Sequence, residues 1–258
     1  MDGTRKLPLI RRKAVVFGDI HFPFHHKFIL ACALYICIKR QPQVIVQAGD
    51  LMDFYSASKF PRSYNLFTPR EEVELSRNYS IKFWSILNKY CPKAEKYQIL
   101  GNHCVRPIKR IMEKAPEFEE DMKRSLNELY TFEGVKTIYD THEELVIDDV
   151  WYHHGHRSKL GDHASYNHQN TVCGHTHRGG AVFFPLEGHL KKQIWEANAG
   201  YLANPHAAGL RYTMQNKATR WTHGVLEIDQ FGPKFVALWP EMAKGMENDP
   251  LFKELVFE

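Results

Sequence analysis

Five short stretches of the chain share one pattern of residue types. They are Asp19-Ile20-His21, Gly49-Asp50-Leu51-Met52-Asp53, Gly101-Asn102-His103, His153-His154-Gly155-His156 and Gly174-His175-Thr176-His177. Each combines carboxylate, amide or imidazole groups with a glycine at or beside the cluster, Gly18 serving the first. Carboxylate oxygen, amide oxygen and imidazole nitrogen form a mixed hard and borderline donor set. It suits Mn, Fe, Zn, Ni or Co better than an all-oxygen Ca cage or a thiolate Zn site. A carboxylate has two oxygens, so a residue such as Asp50 can bridge two cations. Two divalent ions about 3.5–4 Å apart acidify a shared water and steady the attacking and leaving oxygens of in-line displacement at phosphorus. Phosphoester hydrolysis is the natural use of such a set.

Groups as far apart as Asp19 and His177 act together only if the fold gathers them. The β-branched run Lys13–Gly18 reads as a buried strand ending at Gly18-Asp19, a helix is expected from about His26 to Lys39, and a second strand, Val44–Ala48, ends at Gly49-Asp50. Strand, helix, strand opens a parallel α/β sheet, and ligands bind beyond the carboxyl ends of its strands. One residue separates Asp19 from His21 and His175 from His177. On an extended strand end, each pair points the same way. The same alternation puts His154 and His156 on one side, with His153 turned away into a supporting or core position.

Further along, residues 54–69 hold Phe54, Tyr55, Phe60, Tyr64 and Phe67 without regular period and read as a long loop. Its rings either stack on a substrate base or pack the loop to the body. Helix is expected over Arg70–Tyr90, strand over Lys96–Leu100, and helix broken at Pro116 over Arg106–Leu129. Short alternating segments between Val135 and Leu238 predict a second, mixed sheet, interrupted by a helix near Ser158–His168. No stretch is rich enough in Gly, Ser or Pro to cut the chain. The expectation is one domain over residues 1–258, with a loop and helix insertion at about 54–91 and a helical C-terminal segment, 240–258.

Composition narrows the classes. With 258 residues, 43% hydrophobic and 13% aromatic, the chain can bury a sizeable core, and a disordered class is excluded. Its 15 histidines are the one compositional excess. The 34 basic and 30 acidic residues leave only +4, which argues against the basic groove that tracks a polynucleotide. Five cysteines, odd in number and without CxxC spacing, point to a reduced, cytoplasmic setting. Residues 1–13 lack the apolar core of a secretory signal, and the run Phe28–Ile38 is too short to cross a membrane. Phosphate-loop, dinucleotide-loop and GxSxG patterns do not occur. His142-Glu143 meets Val146 where a zinc-protease motif needs histidine. Cys104 beside His103 is a weak nucleophile pair, because neighbours on one turn lack the facing arrangement that activation needs.

On these motifs the chain resembles the calcineurin-like metallophosphoesterase superfamily, whose pattern runs DxH, GDxxD, GNH followed by an acidic residue, HG and GHxH. The resemblance implies a four-layer α/β/β/α sandwich, two packed mixed sheets flanked by helices. It further implies two divalent ions, Mn2+ first and Fe, Zn, Ni, Co or Mg otherwise. Asp19, His21 and His177 would hold one ion, Asn102, His154 and His175 the other, and Asp50 would bridge them. His103 would donate a proton to the leaving oxygen. Arg106, where a helix begins, is a candidate contact for substrate phosphate. The pattern departs at Cys104, where the family carries an acid that orients the catalytic histidine. Another group must set the His103 tautomer, and Asp53 is the nearest in sequence. The expected activity is hydrolysis of a small phosphomonoester or phosphodiester such as a nucleotide, with no membrane partner. A nuclease of the same superfamily and an inactive binding scaffold are the rivals.

Overall fold

The computed structural model describes residues 11–59, 66–139, 144–184, 193–207, 210 and 220–257. Phe60, Tyr64, His142, Glu143 and residues 1–10 therefore lie outside the described residues. Strands β1 (Ala14–Phe17), β2 (Val44–Gln47), β3 (Glu95–Ile99) and β4 (Lys136–Ile138) run parallel in that order. Strands β10 (Gly224–Asp229) and β11 (Gly232–Ala237) extend the sheet antiparallel on the free edge of β1, giving the order β11-β10-β1-β2-β3-β4. The second sheet is β5-β6-β7-β9-β8, from Leu145–Ile147, Val150–Tyr152, Asn170–Cys173, Ile194–Asn198 and Gly180–Phe184. In it β6, β7 and β9 are parallel, and the two outer strands are antiparallel. Both sheets are mixed.

Alternation along the strands sorts side chains between two cores. From β1, Val15 and Phe17 join the helix-side core, whereas Ala14 and Val16 face the second sheet. Ile45 of β2 and Val225 of β10 follow the first pair; Val44, Val46, Leu226 and Ile228 follow the second. Leu145, Ile147, Val150, Tyr152, Val172, Trp195 and Ala197 answer from the second sheet. A strand buried on both faces reads as a continuous apolar run, which is why β1 and β2 are so plain in the sequence.

Helix α1 (Lys27–Arg40) and helix α2 (Pro69–Tyr90) cover the outer face of the first sheet. The start of α2 is written locally: Thr68 and Glu71 exchange side-chain to backbone bonds in a capping box, with Pro69 at the first helical position. Helices α3 (Arg106–Lys114) and α4 (Glu119–Leu129) flank a single turn at Pro116–Phe118, the break that proline forces. Helix α5 (Asp162–Asn167) is the layer over the second sheet. A turn at Pro240–Gly245 and helix α6 (Pro250–Leu255) close the chain against α1.

One expectation needs correction. β4, β10 and β11 belong to the first sheet, not to a second one that begins after Gly134. Alternation identifies a half-buried strand but carries no information on which edge it joins; that is decided by the open edges of β1 and β3. In the loop after β2, Phe54 and Tyr55 are buried, Tyr55 edge-on to Phe24, so these rings pack the body.

Candidate metal centre

All five motif turns leave the carboxyl ends of strands: β1, β2, β3, β6 and β7. The two sheets face one another, so these ends meet in one crevice. Asp19, His21, Asp50, His103, His154 and His177 are all buried there. The turns converge by bent backbone and not by strand alternation. His21, Asp50, His175 and His177 take φ of 55°, 52°, 69° and 59°, a left-handed region costly for side chains other than glycine and kept only where the surroundings fix it. This overturns the expectation that extended geometry aims Asp19 with His21 and His175 with His177. The first pair does meet, but through a turn; the second pair diverges. His177 Nε2 lies 3.3 Å from both Asp19 Oδ1 and His21 Nε2, whereas His175 Nδ1 lies 2.8 Å from Asn102 Oδ1.

Two donor groups result. Asp19, His21 and His177 form one, with His21 Nε2 3.9 Å from Asp19 Oδ1. In the other, Asn102 Oδ1 sits between His175 Nδ1 and His154 Nε2, the latter at 3.0 Å. Asp50 lies between the groups: its Oδ2 is 3.2 Å from His154 Nε2, and Oδ1 accepts the His103 backbone N–H at 2.8 Å. His156 does not join them. Gly155, at φ 101°, breaks the alternation after His154, and the His156 ring turns outward against His163. His153 stacks on Trp151 at 4.0 Å, a supporting place.

Glycines shape the crevice where nothing larger fits. A Cβ at Gly49, whose φ is 100°, would fall within the His154 ring. One at Gly101 would collide with the Asp50 carboxylate. The motif glycines thus let the ligand turns lie directly on one another.

Supporting hydrogen bonds fix which ring nitrogens face the crevice. His21 Nδ1–H donates to Asp53 Oδ2 at 2.9 Å and His154 Nδ1–H to the Ala48 carbonyl at 2.9 Å, so both Nε2 atoms point inward. His103 Nδ1–H donates to the same Asp53 oxygen at 3.1 Å. Asp53 therefore supplies the acceptor that Cys104 cannot. Arg106 donates to Asp53 Oδ1 and to its carbonyl, and its second nitrogen reaches His103 Nε2 at 2.8 Å. Tyr201 stacks on His177 and Trp221 meets its edge. Asn198 holds the GHxH turn, donating to the Gly174 carbonyl and to Thr176 Oγ1. Tyr201, Trp221 and Asn198 were not anticipated. Asn198-Ala199-Gly200 nevertheless shows the same signal as the motifs, a polar residue and a glycine where a strand runs out.

The electrostatics suit a cation. Burial raises the carboxyls of Asp19, Asp50 and Asp53. The imidazoles outweigh it, holding Asp19 and Asp53 below the usual range and Asp50 well below. Burial lowers His154, but the Asp50 carboxylate overrides it and lifts the ring to about 9. The proton on His154 Nε2, set between Asp50 and Asn102, occupies the kind of place that a divalent ion takes. Burial brings His175 down to about 4, leaving that ring neutral and free to coordinate. Three buried carboxylates with inward imidazole nitrogens thus fit hard to borderline divalent metals. Cys104 has no such role; burial pushes its thiol up to about 11.

Comparison with known proteins agrees with this geometry. The chain is 28% identical over 237 residues to the Gene 54 protein of Mycobacterium phage L5, spanning 84% of this chain and 89% of that one. It is 27% identical over 238 residues to the Gene 54 protein of Mycobacterium phage D29, with the same coverage. Among solved structures, Yfce, a phosphoesterase from E. coli, aligns over 84% of this chain and 88% of its own at 16% identity, with a TM-score of 0.38. That overlay is loose, and the fold rests on the strand order described above. The family described as calcineurin-like phosphoesterase matches residues 12–220, which takes in every motif turn, and the chain belongs to that family of metal-dependent phosphoester hydrolases.

Proposed function

We propose that the chain uses two divalent cations, Mn2+ first among them, to hydrolyse a small phosphomonoester or phosphodiester such as a nucleotide. In this reading Asp19, His21 and His177 hold one ion, Asn102, His154 and His175 the other, and Asp50 spans both. The observation that carries it is the pairing of fully buried Asp19 and Asp50 with imidazole nitrogens already turned inward by Asp53 and the Ala48 carbonyl. When bound, the ions supply Lewis acidity and an acidified water for attack at phosphorus.

The chain's own groups do the rest. His103 is the group that would deliver a proton to the leaving oxygen. Its Nδ1 is committed to Asp53, so Nε2, which accepts from Arg106 here, is the atom that would take up that proton and release it. Arg106 presents its guanidinium beside that nitrogen, where a phosphate oxygen can accept from both. The near balance of charge favours a small substrate over a long polynucleotide. Five free, buried cysteines accord with a reducing, cytoplasmic location. Among the described residues no helix is long and apolar enough to cross a membrane.

The test is hydrolysis of an aryl phosphate, an aryl phosphodiester, nucleoside monophosphates, cyclic nucleotides and single-stranded DNA by chelator-treated chain, with and without added Mn2+. Metal-restored turnover of small esters supports the reading. Preference for DNA transfers it to the nuclease alternative, and inertness toward all of them rejects it.

A further inference from the structure

Among the described residues, one other buried group outside the centre brings metal-type donors together: His163 on α5, Cys173 at the end of β7 and Glu196 on β9, each no more than 2% exposed. Its hydrogen bonds show what it does. The backbone N–H groups of His156 and Arg157 donate to His163 Nε2 at 3.4 and 3.3 Å. That nitrogen is therefore the acceptor, and the ring proton lies on Nδ1, which donates to Glu196 Oε1 at 3.4 Å. Neither ring nitrogen retains a lone pair for an ion. The other Glu196 oxygen accepts the backbone N–H groups of His163 and Ala164, each at 2.8 Å, and the Cys173 thiol lies 3.9 Å from Oε1. The group is closed on itself and is a brace.

What it braces is specific. His156 and Arg157 directly follow the His154-Gly155 turn, where Gly155 takes a φ of 101°, and their two amide N–H groups go to His163. Cys173 directly precedes the Gly174-His175 turn. The two turns are also stitched to each other, since Gly174 N–H donates to the His154 carbonyl at 2.9 Å. The His175 N–H also donates to the Asp19 carboxylate, at 3.2 and 3.0 Å, but His163 and Glu196 bond to neither Asp19 nor His21, whose side chains are held by His177 and Asp53.

We infer that His163 and Glu196 are positioning residues for one half of the metal centre, holding the His154 and His175 turns together so that the ion placed between them binds tightly. The inference rests on the two-ion reading above and adds that this brace bears directly on one of the two ions.

The test is equilibrium Mn2+ titration of the full, chelator-stripped chain, following free Mn2+ by electron paramagnetic resonance. His163→Phe keeps the ring volume but removes the acceptor for the two amides. It should weaken one ion roughly 10- to 100-fold, the usual cost of losing a group behind a ligand, and leave the other within about twofold of wild type. His163→Gln returns an acceptor and should recover most of the loss. Glu196→Gln, which strips the charge from the brace, should show the same one-ion defect and carries the test if His163→Phe does not fold. Unchanged affinity for both ions, equal weakening of both, or no recovery in His163→Gln overturns the inference. A wild-type chain that binds two ions while the variants match it rejects this inference alone. A wild-type chain that binds fewer than two rejects the two-ion reading and the inference with it.

Discussion

Asp53 Oδ2 accepts Nδ1–H of His103 at 3.1 Å, and the same oxygen takes Nδ1–H of His21 at 2.9 Å. One buried carboxylate thus sets the tautomer of the proposed proton donor and of a proposed metal ligand, which separates two kinds of mutational loss. His103→Ala should lower kcat roughly 100- to 10,000-fold, the range of a general acid, with Mn2+ content unchanged. Asp53→Asn should lower kcat as well, and should also weaken metal binding roughly 10- to 100-fold. Metal content by mass spectrometry beside steady-state kinetics distinguishes them. Equal metal loss in both variants would sink the division of roles.

His154 gives a pH dependence whose sign can be worked out. Its folded value of about 9 lies above the ordinary 6.5 because of Asp50, so the metal-free chain holds a proton on the nitrogen proposed to bind an ion. That proton must leave on binding. Apparent metal affinity should rise by about tenfold per pH unit up to pH 9 and then level off. His175, near 4, adds no proton to this balance at neutral pH. The stability of the metal-free chain runs the other way: the His154 contribution is fully present below pH 6.5 and is lost as pH rises through 9. Titrations and thermal melts with and without chelator, from pH 6 to 10, should show opposite slopes.

Arg106 is held by Asp53 on one side and reaches His103 Nε2 on the other. If it binds substrate phosphate, removing it costs a charge-assisted bond of about 1.5–3 kcal/mol, or roughly 10- to 150-fold in kcat/KM. Lysine should rescue poorly, because a point charge cannot serve two acceptors in one plane. Arg106→Ala and Arg106→Lys kinetics, with inorganic phosphate as competitive inhibitor, decide the matter. Unchanged phosphate inhibition in both would confine Arg106 to fixing Asp53.

Much of this centre was legible in the sequence because it lies where strands end. An apolar run, a glycine and a polar ligand mark a strand, the space for close approach and the donor, and these signals do not depend on the rest of the fold. The direction of each side chain was not legible. His175 and His177 were expected to point together, yet left-handed backbone at both sends them to different donor groups. His156 failed for the same reason, at Gly155. The sheet to which β4, β10 and β11 belong was equally hidden, since edge pairing is a tertiary choice that local alternation does not encode. Asp53 was half legible: its spacing from Asp50 is part of the motif, but its service to two histidines follows only from the packed structure.

The burial of Cys104 argues against a covalent mechanism through its thiol. Its thiol is fully buried, and burial lifts it to about 11, so almost none is thiolate at neutral pH. His103 cannot deprotonate it while its Nδ1–H is bonded to Asp53 and Nε2 faces Arg106. Cys104→Ser should therefore keep kcat/KM within about threefold of wild type, and iodoacetamide should leave the native chain active, because a buried neutral thiol is a poor nucleophile. Loss of activity with either treatment, at unchanged metal content and melting temperature, would bring Cys104 back into the chemistry. Retention leaves attack at phosphorus to water and the proton transfer to His103.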